Sequence, residues 1–144
     1  MSVAWEIKKR LYAAFNDHDM PRVVECYSPD GILVSPEGIA EGREQIATFY
    51  EHLIVGFSDV KITPWYEVDC DDPAVSEWML TGTHTGPFLL PCGRYAEGSG
   101  NHIAVRGCCA ARVDNGKITS HQHYYDQLEL YSQLGFALAC APAT

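Results

Sequence analysis

The chain has 144 residues, 47% of them hydrophobic, and a formal charge of −9. That length suits one domain able to bury roughly 70% of its unfolded surface. The acidic balance, with Lys8-Lys9-Arg10 as the lone basic cluster, argues against a phosphate-backbone binder, so no nucleic-acid partner is expected.

Met1–Glu6 lacks the basic-then-apolar order of a signal peptide, and no apolar run approaches the roughly 20 residues of a membrane span. A soluble cytoplasmic protein without a membrane partner is the expectation.

Val3, Ile7, Leu11, Ala14 and Phe15 fall at helical spacing among charged positions and predict an amphipathic first helix, stopped at Asn16-Asp17-His18-Asp19. Asp19 is suited to cap a second helix, with Pro21 in its first turn and Val23, Val24 and Tyr27 on its buried side. Pro29-Asp30-Gly31 should end that helix. After an extended piece at Ile32–Ser35, Ile46, Phe49, Tyr50 and Leu53 form one stripe of a third helix over Arg43–Ile54.

From Val60 onward the period changes. Val60–Val68, Val75–Thr85, Ile103–Val113 and Ile118–Tyr125 read as strands, and Asp114-Asn115-Gly116 marks a hairpin between the last two. Pro64 predicts an edge or bulged position for the first. Gln127–Gly135 predicts a short closing helix, its glycine at the C-terminus. Early helices followed by strands define an α+β domain whose sheet curves around a pocket. Apolar residues on both strand faces, Trp78, Leu80, Val105 and Ala110 among them, suggest a sheet-to-sheet homodimer.

The six cysteines at 26, 70, 92, 108, 109 and 140 contain no Cys-x-x-Cys pair and are expected to be reduced and used for packing. His121-x-His123 has the look of half a metal site, but no third ligand accompanies it, so no metal is expected and the pair reads as structural or interfacial.

Several segments taken in order resemble the SnoaL-like polyketide cyclases of the NTF2-like superfamily. They are Phe15–Asp19, Tyr27-Ser28-Pro29-Asp30, Thr81-Gly82-Thr83-His84-Thr85-Gly86, Pro91–Arg94, Arg106-Gly107, Asp114–Ile118, and Asp126 with Gln133-Leu134-Gly135. The resemblance spans nearly the whole chain. It implies a cone-shaped barrel with N-terminal helices on the concave face of a curved antiparallel sheet, usually dimeric, and aldol-type ring closure of a small apolar polyketide-like substrate without a cofactor. It also places the catalytic acid/base at Asp126.

A carboxylate desolvated among aromatic side chains gains basicity and can remove a proton from carbon activated by carbonyls. By strand parity Gln122 and Tyr124 share the Asp126 face and become substrate-binding candidates, while His121, His123 and Tyr125 point away unless a bulge intervenes. His84 reads as a carbonyl-polarising group or a hydrogen bond within the sheet. Trp78, Tyr50 and Phe15 complete the candidate pocket, with Cys109 and Ala111 facing inward on the neighbouring strand. Ala96–Asn101, rich in glycine, suggests a flexible flap at the pocket mouth. Two other functions suit such a cone: non-catalytic binding of a small apolar ligand, and epoxide hydrolysis, for which a second inward carboxylate beside Asp126 is missing.

Overall fold

The computed structural model describes residues 3–68 and 73–143; Cys70 lies outside them. Helix α1 (Val3–Asn16) buries Ile7, Leu11, Ala14 and Phe15 as the apolar spacing requires, and also Lys8 and Tyr12. Helix α2 (Met20–Glu25) starts where Asp19 accepts the Arg22 N–H at 3.3 Å, with Pro21 in its first turn. Tyr27 belongs not to this helix but to strand β1 (Tyr27–Ser35), which runs through Pro29-Asp30-Gly31 with a register shift between Tyr27 and Ile32. A tight turn at Pro36-Glu37 leads into β2 (Gly38–Glu41), a strand too short to carry a period in sequence. Helix α3 (Gly42–Gly56) follows, burying Ile46 and Tyr50.

The remaining strands are β3 (Lys61–Val68), β4 (Ala74–Thr83), the two-residue β5 (Phe88–Leu89) and β6 (Tyr95–Ala96), β7 (His102–Asp114) and β8 (Lys117–Tyr125). Helix α4 (Gln127–Gln133) closes the order. Six strands form one sheet in the order β2-β1-β8-β7-β4-β3, and β5 pairs with β6 apart from it. Pro64 sits on edge strand β3 beside a register shift, as its missing N–H demands. The main sheet is antiparallel except where β1 runs parallel to β8.

Asn115 and Gly116, at φ of 52° and 73°, make the two-residue turn between β7 and β8. The two strands start in simple register, Asp114 opposite Lys117 and Val113 opposite Ile118. Arg112 then pairs with Ser120, leaving Thr119 as an extra residue. This β-bulge exchanges the two faces of β8 for the rest of its length.

Consequently three rows cross the concave face. Trp78, Gly107 and Tyr125 form one, Ser76, Cys109 and His123 the next, and Ala74, Ala111 and His121 the third. Helices α1 and α3 cover these rows, and one continuous core includes Leu11, Phe15, Tyr50, Trp78, Val105 and Cys109. Leu80 and Val105, offered to a dimer face by the sequence, therefore point into the molecule beside Trp78. Gly107 is required beneath the indole: a Cβ there would lie 2.4 Å from the Trp78 ring. All five cysteines among the described residues are free thiols, and Cys26 and Cys109 are buried as packing predicts. No helix among the described residues is long and apolar enough to cross a membrane.

Candidate active site

Between the helices and the concave face lies an enclosed, overwhelmingly apolar cavity with a free volume of about 50 Å³. Phe15 and Tyr50 reach it from α1 and α3, and Trp78 from β4, as the sequence suggested. Cys109 is buried but stands behind the cavity wall.

The bulge at Thr119 corrects the assignment on β8. His121, His123 and Tyr125 line the cavity, while Gln122 and Tyr124 are exposed and bonded to each other, Tyr124 Oη donating to Gln122 Oε1 at 2.7 Å. Asp126 is exposed as well and caps α4, accepting the Leu128 N–H at 2.9 Å. It thereby sets the helix that contributes Leu130 to the cavity. His121 is buried and His123 half-buried, and both rings face the cavity of their own domain.

His84 is 1% exposed and faces a different neighbourhood. Its Nδ1 and Nε2 lie 2.9 and 3.1 Å from Ser99 Oγ and the Ala96 carbonyl, and its backbone bonds Asn101 and Gly100. The segment Ala96–Asn101 is thus tied down around an imidazole, and none of it lines the cavity. The expected flap is a fastened loop.

Three buried side-chain polar atoms among the described residues find no hydrogen-bond partner within the protein: Glu37 Oε1, Trp78 Nε1 and His121 Nε2. All three residues line the cavity. An unpartnered buried polar group costs about 1–3 kcal/mol, so three around one cavity leave hydrogen-bonding capacity open there to water or a ligand.

Glu37 comes from the β1–β2 turn, where burial raises its carboxyl above the usual range and a hydrogen bond from Tyr125 partly offsets that rise. His121 Nδ1 is 2.7 Å from Tyr27 Oη, which is 2.7 Å from Tyr50 Oη. Burial pushes both tyrosines upward, so they stay hydroxyls. If Tyr50 donates to Tyr27 and Tyr27 to Nδ1, His121 presents an Nε2–H to the cavity; reversal of the chain presents a lone pair.

His121 and His123 meet edge to face with ring centroids 4.4 Å apart. Desolvation pushes each down to about 3, so both are neutral imidazoles near pH 7. Among the described residues no three His, Cys, Asp or Glu side chains form a group that could hold a metal ion.

Glu37, His121, His123, Tyr27 and Tyr12 are the site residues missed in sequence. Without the bulge Gln122 would stand opposite Cys109, so an inward Cys109 points to Gln122 and Tyr124, and nothing in the residues themselves signals the histidines.

The architecture defines the class: a helix-covered curved sheet around an apolar cavity, shared with NTF2-like and ketosteroid-isomerase-like structures. Residues 6–134 match the model of the SnoaL-like polyketide cyclase family, and the chain belongs to that family. A SnoaL-like candidate polyketide cyclase from Jannaschia sp. CCS1 superposes with a TM-score of 0.81 at 21% identity, over 94% of each chain. IdmH from Streptomyces antibioticus, a candidate polyketide cyclase, gives 0.76 at 23% identity over 92% of this chain and 99% of its own. AclR from Streptomyces galilaeus, a candidate hydroxylase, gives 0.78 at 20% identity over 92% and 95%. These identities establish shared fold. No curated protein sequence matches the chain.

Proposed function

We propose that the chain is a cofactor-independent cyclase or isomerase acting on an apolar, carbonyl-bearing intermediate of polyketide type within this cavity. The observation that carries the reading is the convergence of one carboxyl oxygen, Glu37 Oε1, and two ring nitrogens, all unpartnered, on a cavity otherwise walled largely by hydrocarbon and aromatic rings. Family membership supplies the reaction class.

In this reading Glu37 takes a proton from carbon next to a carbonyl, its basicity increased by burial. Trp78 Nε1–H and His121 Nε2–H receive the charge that develops on oxygen. A neutral imidazole is the better partner there, because it donates without bringing a buried positive charge into the cavity. The enolate then attacks a second carbonyl, closing a ring, or is reprotonated at another carbon; Glu37 returns the proton in either case. The free volume of about 50 Å³ is below the size of a polycyclic ligand, so binding requires side chains such as Phe49 and Leu53 of α3 to move outward. The outer sheet face, with Tyr124 and Trp65 exposed, supports pairing of two copies as part of the same proposal.

The decisive comparison is Glu37→Gln against Asp126→Asn, assayed by turnover of polyketide-type diketones. Loss of at least about a hundredfold in the first, with the second within about threefold of wild type, is expected for a base at Glu37. The opposite ranking would return the base to Asp126. A protein that binds such ligands and turns over none of them, with Glu37 intact, is a binding protein.

A further inference from the structure

Lys8 is 3% exposed, an unusual place for an ammonium group. It rises from α1 to the concave face, where Nζ donates to Ser76 Oγ at 2.6 Å and to the Ala74 carbonyl at 3.1 Å. Ser76 Oγ in turn lies 2.5 Å from Tyr12 Oη, and Tyr12 Oη lies 3.2 Å from Cys109 Sγ. The two α1 residues are spaced i, i+4 and so stand one above the other over the same row of the sheet. Lys8 and Ser76 face an outer cleft beside Trp5 and Lys9, whereas Tyr12 lines both that cleft and the cavity.

Hydrogen-bond direction follows from the chemistry of the Lys8 end. An ammonium has donors and no lone pair, so Ser76 Oγ must accept from it. Its own hydrogen has two neighbours, Tyr12 Oη at 2.5 Å and Cys109 Sγ at 3.6 Å, and the phenol oxygen is the closer and the better acceptor. With that hydrogen on Tyr12, the phenol can only donate onward. Its present acceptor, a thiol sulfur, is a weak one that a ligand oxygen readily replaces. Tyr12 also stands over the row Ser76, Cys109 and His123, the row between those of Trp78 and His121. Burial keeps the phenol protonated.

We infer that Lys8, acting through Ser76, orients the Tyr12 hydroxyl as a hydrogen-bond donor to an enolic or anionic oxygen of the cavity ligand, which makes the cavity a site for enols and phenols. This rests on the proposed function, since it adds a third oxygen-holding group to those of Trp78 and His121. Lys8 and Ser76 are positioning residues; Tyr12 is the group that touches the ligand.

The test is binding of a series of substituted phenols and 2-naphthol to the full chain, followed by intrinsic fluorescence and calorimetry. In wild type, affinity should rise as the phenol becomes more acidic. Tyr12→Phe should weaken 2-naphthol binding by at least about tenfold, and Lys8→Met and Ser76→Ala by about three- to fivefold, as a charge-assisted bond is lost. All three should flatten the dependence of affinity on phenol acidity, a slope that a purely structural role would leave alone. Should Lys8→Met fail to fold by circular dichroism, Ser76→Ala and Tyr12→Phe carry the test. Phenol binding whose affinity and slope are unchanged in folded Tyr12→Phe and Ser76→Ala overturns this inference and leaves the proposed function standing. A wild-type protein that binds no phenol but turns over diketones also overturns it alone; one that does neither overturns both.

Discussion

Strand β8 presents two chemically similar faces to two different environments. On one side His121, His123 and Tyr125 line the apolar cavity; on the other Gln122, Tyr124 and the following Asp126 meet solvent. Both faces offer an aromatic ring, a hydrogen-bonding nitrogen and nearby acidity, so residue type does not tell them apart. Burial does. Tyr124 spends its hydroxyl on Gln122 at the surface, whereas the Tyr27 hydroxyl is bonded to His121 Nδ1 in the interior, where water cannot substitute. The same bond is worth little in the first place, and its loss in the second leaves hydrogen-bonding capacity that no water can take up.

The largest expected difference between the faces is in turnover, where Glu37→Gln should cost at least about a hundredfold and Gln122→Ala less than about twofold. Comparable losses from both, measured as kcat/KM, would mean that the outer face is the reacting one.

Stability should separate the faces next. His121→Ala opens a gap and removes one of the two partners of the Tyr27 hydroxyl, at a cost of about 3 kcal/mol, while Gln122→Ala stays within about 0.5 kcal/mol. Urea denaturation read by tryptophan fluorescence gives both values, and equal effects would break the comparison.

Gly107→Ala tests the inner row from beneath. Its Cβ would press into the Trp78 ring, and the indole must shift, with a destabilisation of about 2 kcal/mol and altered ligand affinity. A crystal structure of the variant with Trp78 in its original place would show that the indole is not held as described.

Acid should act mainly through the inner face. His121 and His123 have folded values near 3, below the usual 6.5, so the unfolded state binds protons that the folded state refuses. Stability attributable to them is present above about pH 6.5 and declines as pH falls toward 3, with a slope of up to about 1.4 kcal/mol per pH unit for each ring. Glu37, shifted upward by burial, acts in the opposite sense, its contribution lost as pH rises through its folded value. Replacing His123 with Gln should reduce the acid slope between pH 6 and 4 in chemical-denaturation midpoints. An unchanged slope would place the sensitivity elsewhere.

The smallest effect belongs to the outer carboxylate. Asp126→Ala removes the cap of α4 at a cost of about 1 kcal/mol, and Asp126→Asn, which still accepts the Leu128 N–H, should cost almost nothing. A thermal melt distinguishes the two.

Local patterns in the chain specified most of its elements, though not the start of β1 at Tyr27 or the short strands β2, β5 and β6. The stripe Ile7, Leu11, Ala14 and Phe15, the cap at Asp19, Pro64 on an edge strand and the Asn115-Gly116 turn all express preferences of a few neighbouring residues, and each appears as read. The ordered motifs also carried the family resemblance. The interior of the cone was not legible in the same way. One extra residue at Thr119 exchanges the faces of β8, and a bulge leaves no compositional mark. Glu37 belongs to no periodic pattern and reaches the cavity only through the β1–β2 turn, and Lys8 is one of a basic cluster in sequence until α1 lays it against Ser76. Periodicity determines which residues travel together, because that depends on bond geometry along one segment; which side becomes the inside depends on how six strands and their covering helices close around a common volume, and only the tertiary structure decides that.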